Sequence, residues 1–200
     1  MVEIVLKPNS VSWDEISQIV YNSHVNNREK GLDIRNANLT GDEIKESIGV
    51  DGRCFIARDT NLGIIIGTVS VAFHHLERWY AHGLFAYLTL DAVLPEWSGK
   101  HVFSRLSTER MEYIKGTGCE GIYIYIAENN KLRREIAKKE GFISVAIDRT
   151  DYNRHNYITY VKWFGEKPFC LFNIRVRFVL NWIKLKSSNC LLSIYRIIRR

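Results

Sequence analysis

An α/β fold built on a mixed sheet (α+β in its pairing) is predicted by three observations. Short β-rich runs recur down the chain: RCFIAR (53–58), GIIIGTVSVAF (63–73), LFAYLTLDAV (84–93) and GIYIYIAE (121–128). Helical stretches between them open on capping signals, Ser12 with Glu15 and Thr40 with Glu43, each in the spacing that satisfies two orphan helix donors reciprocally. Two strand-to-helix-to-strand passages follow a run of adjacent strands, which calls for parallel pairing beside antiparallel pairing.

The elements follow in order. EIVLK (3–7) is a short strand that Pro8-Asn9-Ser10 breaks. A helix from Trp13 to about Ser23 repeats Ile16, Ile19 and Val20 at helical spacing. NNREKGLDIRNAN is polar and reads as loop, and Thr40 caps a second helix running to about Gly49. Two strands joined by a turn at Asp59-Thr60-Asn61 come next, then an aromatic connection, His74 to Gly83. The strand 84–93 leads into a helix from Ser98 to about Lys115. After the 121–128 strand, Asn130 starts a helix, Lys131 to Glu140, that Gly141 ends. FISVAID and YITYVKWF make a final hairpin around RTDYNRHN.

At 200 residues the chain suits one domain with an appendage, and such a length buries roughly 70% of its unfolded surface without a staple. Cys54, Cys119, Cys170 and Cys190 form no CxxC pair, so free thiols in a reducing cytoplasm are expected and a metal site is not. MVEIVLKPNS lacks the apolar core of a signal peptide. Of the net charge of +6, residues 165–200 carry +7, from eight Lys or Arg against Glu166, leaving about −1 on residues 1–164. A nucleic-acid-binding body is therefore not indicated. The division expected is a domain over 1–164 and a basic, apolar extension over 165–200.

The chemistry concentrates in LTLDAVLPEWSGKHVFSRL (88–106). A strand feeding a helix through a glycine-bearing turn presents unpaired backbone N–H groups and the positive end of the helix dipole to an anion. Ser98, Gly99, Lys100, His101 and Val102 are the candidate cradle, with Lys100 as a mobile charge. The bland alternative is a corner with no ligand.

AVLPEWSGKHVFSRL and, downstream, ENNKLRREIAKKEGF together resemble the GNAT superfamily of acyl-CoA N-acyltransferases. The family pattern is a strand ending in Ala-Val, an (R/Q)-x-x-G-x-(G/A) loop opening a helix, and a later N-x-x-A-x-x-L-Y-x-K-x-G-F. Ala92-Val93, then Gly99, Lys100, Val102, Ser104, Arg105 and Leu106, match the first part; Asn130, Ile136, Lys139, Gly141 and Phe142 match the second. The resemblance implies that acetyl-CoA or another acyl-CoA is the co-substrate, without a metal. It implies that Val93 and Leu94 meet the pantetheine arm, Ser98 to Val102 the pyrophosphate, and that Asn130 positions the cofactor near the thioester. Glu96 stands where the pattern has Arg or Gln, and His101 where it has Gly or Ala. Phe103 replaces a small residue, and Ala137 replaces a tyrosine that commonly protonates the departing thiolate.

Proton transfer needs a base near the amine. If the 84–93 strand alternates regularly, Tyr87, Thr89, Asp91 and Val93 share a face. Asp91 is the first candidate base, with a backbone-bonded strand-end carboxylate as the alternative. Tyr87 and Tyr125 are candidate acids or packing residues. His75 is an alternate base or a surface histidine, and the tip around Arg149, Asp151, Arg154 and His155 could meet acceptor.

The expected function is transfer of an acyl, most simply acetyl, group to a primary amine of a small molecule or amino sugar. The aromatic, basic tail also resembles acyltransferases of bacterial surface-polysaccharide pathways. The alternative is a non-catalytic ligand-binding or scaffold module of the same fold. Phe169 to Lys186 carries four charges, which argues against a membrane span, and shows no single amphipathic face. Leu191, Leu192, Ile194, Tyr195 and Ile198 share a side opposite Ser193, Arg196, Arg199 and Arg200, so residues 188–200 either rest on the inner face of a membrane or pack on protein. A homodimer is a further option.

Overall fold

The structure, a computed structural model, describes residues 1–32, 34, 36–149, 156–165, 174 and 176–184. Strands β1 (Val2–Leu6), β2 (Arg53–Asp59), β3 (Ile64–Arg78), β4 (Ala81–Val93), β5 (Gly121–Ala127), β6 (Ile143–Arg149) and β7 (Asn156–Trp163) form one sheet in the order β1-β2-β3-β4-β5-β7-β6. Every neighbouring pair is antiparallel except β4 and β5. The helices are α1 (Trp13–Ser23), α2 (Val25–Glu29), α3 (Gly41–Ile48), α4 (Val102–Lys115) and α5 (Lys131–Lys139), and residues 176–184 are also helical.

The two predicted capping boxes form. Ser12 Oγ accepts from the Glu15 amide at 3.1 Å while Glu15 Oε2 accepts from the Ser12 amide at 2.7 Å. Thr40 and Glu43 repeat the arrangement at 3.3 and 2.8 Å. Ile16, Val20, Ile44 and Ile48 then pack against Cys54, Ile56, Leu90 and Ala92 on one face of the sheet. On the opposite face Val102 and Leu106 of α4 meet Phe55, Ala57, Ile66 and Val69.

Three sequence expectations need correction. The polar stretch after α1 is not all loop, because residues 25–29 close a short helix. The His74–Gly83 connection is not a connection: β3 runs to Arg78 and β4 starts at Ala81, so only Trp79 and Tyr80 turn. Its outer residues lie exposed on a long hairpin, which is why their polarity imitates a loop. The helix expected from Ser98 begins at Val102, after a 3-10 turn at Pro95–Trp97.

The tail reaches the body. Ile174 is buried with Phe85, Tyr123, Val145 and Val161, and Phe178 joins the cluster around Ile124 and Ile158. Residues 188–200 and the hairpin tip at Asp151, Arg154 and His155 lie outside the described residues. No helix among the described residues is long and apolar enough to cross a membrane.

Candidate acyl-CoA site

Two departures from sheet regularity create the site. The first is a seam. β4 and β5 pair only at Phe85↔Gly121, Ala86↔Ile122 and Tyr87↔Tyr123, although β4 continues to Val93 and β5 to Ala127. Beyond Tyr87 the strands part, and a cavity of about 240 Å³ opens between them. Its walls include Leu88 to Asp91 from β4, Ile124 to Ala127 from β5, His24, Asn36, Asn130 and Tyr157.

The second is a bulge in β4. Thr68 pairs with Ala92 and Ser70 with Thr89, so Val69 alone faces Leu90 and Asp91. Leu90 takes φ 54°, a left-handed conformation costly for a bulky side chain. Gly67 lies where a Cβ would come within 2.9 Å of the Ala92 carbonyl, so β3 hugs the strand beside the bulge. The extra residue reverses the alternation. Asp91 does not share the Tyr87 and Thr89 face, as a regular strand requires, but turns toward α4.

There Arg110 meets it. Arg110 Nη1 and Nη2 donate to the two Asp91 carboxylate oxygens at 2.5 and 3.3 Å, and Nη1 also donates to the Ser70 carbonyl at 3.0 Å. The Arg110 side chain is 2% exposed and that of Asp91 27%. A guanidinium this deeply buried requires a counter-charge. Asp91 thus lines the cavity with both oxygens engaged, which fits a structural anchor better than a free base.

His24 occupies the place beside it. Its Nδ1 lies 3.0 Å from Asn27 Nδ2. Burial pushes the imidazole below its ordinary pKa; the charge of Asp91 opposes this and Arg28 reinforces it. Asn36 donates to the Thr89 hydroxyl at 2.5 Å and so joins the same wall.

Tyr87 and Tyr125 both line the cavity, in an aromatic floor with Tyr123. Tyr87 stacks on Tyr123 with centroids 5.0 Å apart and meets Tyr125 edge-on at 5.4 Å. His74 stacks on Tyr87 and bonds the Tyr123 hydroxyl, and desolvation lowers its pKa. His75 is exposed, one residue along β3 and therefore on the other face, and is not among the cavity's lining residues. His74, its neighbour, is the histidine that touches the floor.

Asn130 caps α5, with Oδ1 accepting from the Arg133 amide at 3.1 Å, and it lines the cavity. Ala137, in the family pattern's tyrosine position, is fully buried. Val93 and Leu94 lie past the cavity along the same strand. The Leu94 amide donates to the Ile66 carbonyl at 2.9 Å, so alternation points the Val93 amide and carbonyl to the open edge.

The turn beyond is built for exposure. Gly99 takes φ 75° with open space where a Cβ would stand, and His101, the N-cap of α4, takes φ 59° without a side-chain cap. The Ser98 amide donates to the Pro95 carbonyl at 3.0 Å and that of Lys100 to Trp97 at 3.3 Å. The amides of Gly99, His101, Val102, Phe103 and Ser104 find no acceptor among the described residues. The side chains of Glu96, Lys100 and His101 are exposed, so neither the carboxylate nor the imidazole fills the turn, and Lys100 Nζ lies 4.6 Å from the Trp97 ring centre. Among the described residues no group of three or more His, Cys, Asp or Glu side chains could hold a metal ion.

The overall arrangement of strands and helices is shared with solved structures. The chain superposes on the Arabidopsis thaliana NAA60 complex with a bisubstrate analogue with a TM-score of 0.61 at 16% identity, covering 82% of this chain and 100% of that one. The chain has the GNAT fold. A GNAT-family acetyltransferase from Staphylococcus aureus Mu50 gives a TM-score of 0.58 at 16% identity over 82% of this chain and 100% of that one. The ribosomal-protein-S18-alanine N-acetyltransferase of Escherichia coli gives 0.60 at 13% identity over 86% and 99%. No protein-family model matches the chain, and no curated protein matches it in sequence. Within this GNAT fold the sequence motifs located the turn and the α5 cap. They missed His24, Asn36 and Arg110. Arg110 alone carried a signal: a charge set between Leu106 and Ile114 in an otherwise apolar stripe.

Proposed function

We propose that the protein is an acyl-CoA-dependent N-acyltransferase that moves an acetyl group from acetyl-CoA to a primary amine of a small molecule or amino sugar. The observation that carries this reading is the coincidence of the opened β4/β5 seam with the unpaired amides of Gly99 and of His101 to Ser104 along one edge. The amides receive the pyrophosphate, the Val93 edge pairs with the pantetheine arm, and the thioester enters the seam near Asn130. The amine nitrogen attacks the thioester carbon, the carbon–sulfur bond breaks, and the amine's proton leaves by way of the cavity while the thiolate takes one up. Asp91 is the cavity's carboxylate among the described lining residues, and Arg110 holds it, so the wall carries little free negative charge for a strongly basic peptide.

His24 is the titratable wall group kept neutral by burial, and Tyr87 and Tyr125 bring hydroxyls to the same space. Much of the rate comes from orientation of amine and thioester. A second reading, a non-catalytic module binding an acyl-CoA-like ligand, draws support from the engagement of Asp91 and from Ala137. Calorimetry with acetyl-CoA followed by thiol-release assays over an amine panel tests both. Binding with amine-dependent thiol release is expected. Binding with no release across the panel favours the module, and no binding ends the acyl-CoA reading.

A further inference from the structure

The helix at residues 176–184 is apolar on two opposed sides. Ile174, Phe178 and Trp182, spaced by four, turn inward, with Ile174 1% and Phe178 8% exposed and Trp182 packed on Phe178. Opposite them Val176, Val179, Leu180 and Ile183 form a stripe at i, i+3, i+4 and i+7, and these are 40%, 49%, 59% and 58% exposed. This two-sided pattern defeats a search for one amphipathic face, because the first stripe serves the body and the second faces out.

Charge says what covers the outer stripe. Arg177 and Lys184 are exposed, two turns apart, along one border of it. The Arg177 guanidinium lies 5.1 Å from the ring of Trp79, which stands 48% exposed at the β3–β4 turn beside Tyr80. An aromatic ring, two cations and four aliphatic side chains thus share one surface. The sequence from 167 to 200 holds no acidic residue. A second copy of the same face would set Arg177 and Lys184 against like charges. Anionic headgroups would meet them with opposite charge, while the aliphatic stripe enters the acyl boundary and tryptophan takes the interface.

We propose that the outer face of residues 176–184, with Trp79, docks on an anionic lipid bilayer surface without crossing it. This face is independent of the acyl-CoA site. The test is flotation of the full chain with phosphatidylcholine vesicles and with vesicles enriched in phosphatidylglycerol. Binding is expected to the anionic vesicles and to weaken as salt rises. The double variant Val179→Glu with Leu180→Glu should lower it about tenfold or more, since it removes apolar area and adds like charge. Both positions are exposed, so circular-dichroism melting should match the parent. Trp79→Ala should lower binding less. Equal flotation of parent and double variant, or no flotation of the parent on anionic vesicles, overturns the proposal. So does a dimer in light scattering that the double variant dissociates without any change in flotation, since that result assigns the face to a second copy.

Discussion

Helices α1 and α4 lie on opposite faces of the same central strands, and they begin in opposite ways. α1 satisfies its own start: the Ser12 hydroxyl and the Glu15 carboxylate exchange bonds with each other's amides. α4 starts on a left-handed His101 with no side-chain cap and leaves successive amides without acceptors among the described residues. Their inner faces differ as well. α1 buries Ile16 and Val20, whereas α4 inserts Arg110 among Val102, Leu106 and Ile114. The self-satisfied helix is held at its start and lends the cavity only its far end, Val20 and the C-cap His24. The helix that forgoes a cap and holds a buried charge anchors Asp91 beside the β4 bulge.

Five substitutions break or sharpen that contrast, the largest expected effects first. Arg110→Ala should cost about 3–5 kcal/mol in urea unfolding, because it strands Asp91 and empties a buried site. It should also lower acetyl-CoA turnover. Ile16→Ala on α1 should cost about 2–5 kcal/mol without changing acetyl-CoA affinity. Loss of affinity there would erase the division of labour. Ser12→Ala should cost about 1 kcal/mol by losing the cap, while Ser98→Ala before α4 should fall within about 0.5 kcal/mol in thermal melts. His101→Gly should raise stability by up to about 1 kcal/mol by relieving the left-handed conformation.

The smallest effect is a pH dependence. The His24 and His74 pKa values lie below the unfolded value, so the unfolded chain takes up protons first as pH falls. Their neutral-pH contribution should be lost progressively from the ordinary histidine pKa down through the folded values. Melting temperature should drop between pH 7 and pH 5, and His24→Gln should reduce the drop. An unchanged slope in that variant would contradict a desolvated His24.

The sequence disclosed what is local. Both capping boxes, the Asn130 cap and the β-rich run from Gly121 to Ala127 depend on near neighbours, and all appear where the residues place them. Nonlocal features were hidden. A β bulge at Leu90 contradicts the residue's own preference and exists because β3 and α4 fix both sides of β4, so the faces of Asp91 and Val93 cannot be counted off. His24 reaches the cavity through the packing of α1, which no motif encodes. The start of α4 was placed too early because the 3-10 turn at Pro95–Trp97 and two left-handed residues occupy what reads as its first turn.

The central claim is that the uncapped start of α4 receives the pyrophosphate of an acyl-CoA. Amide NMR of the full chain titrated with coenzyme A tests it most directly. The account predicts large shifts at Gly99 and from His101 to Ser104, with little change at Trp13, Asp14 and Glu15. Saturation without shifts at Gly99 and His101 to Ser104, or no binding at all, would contradict it.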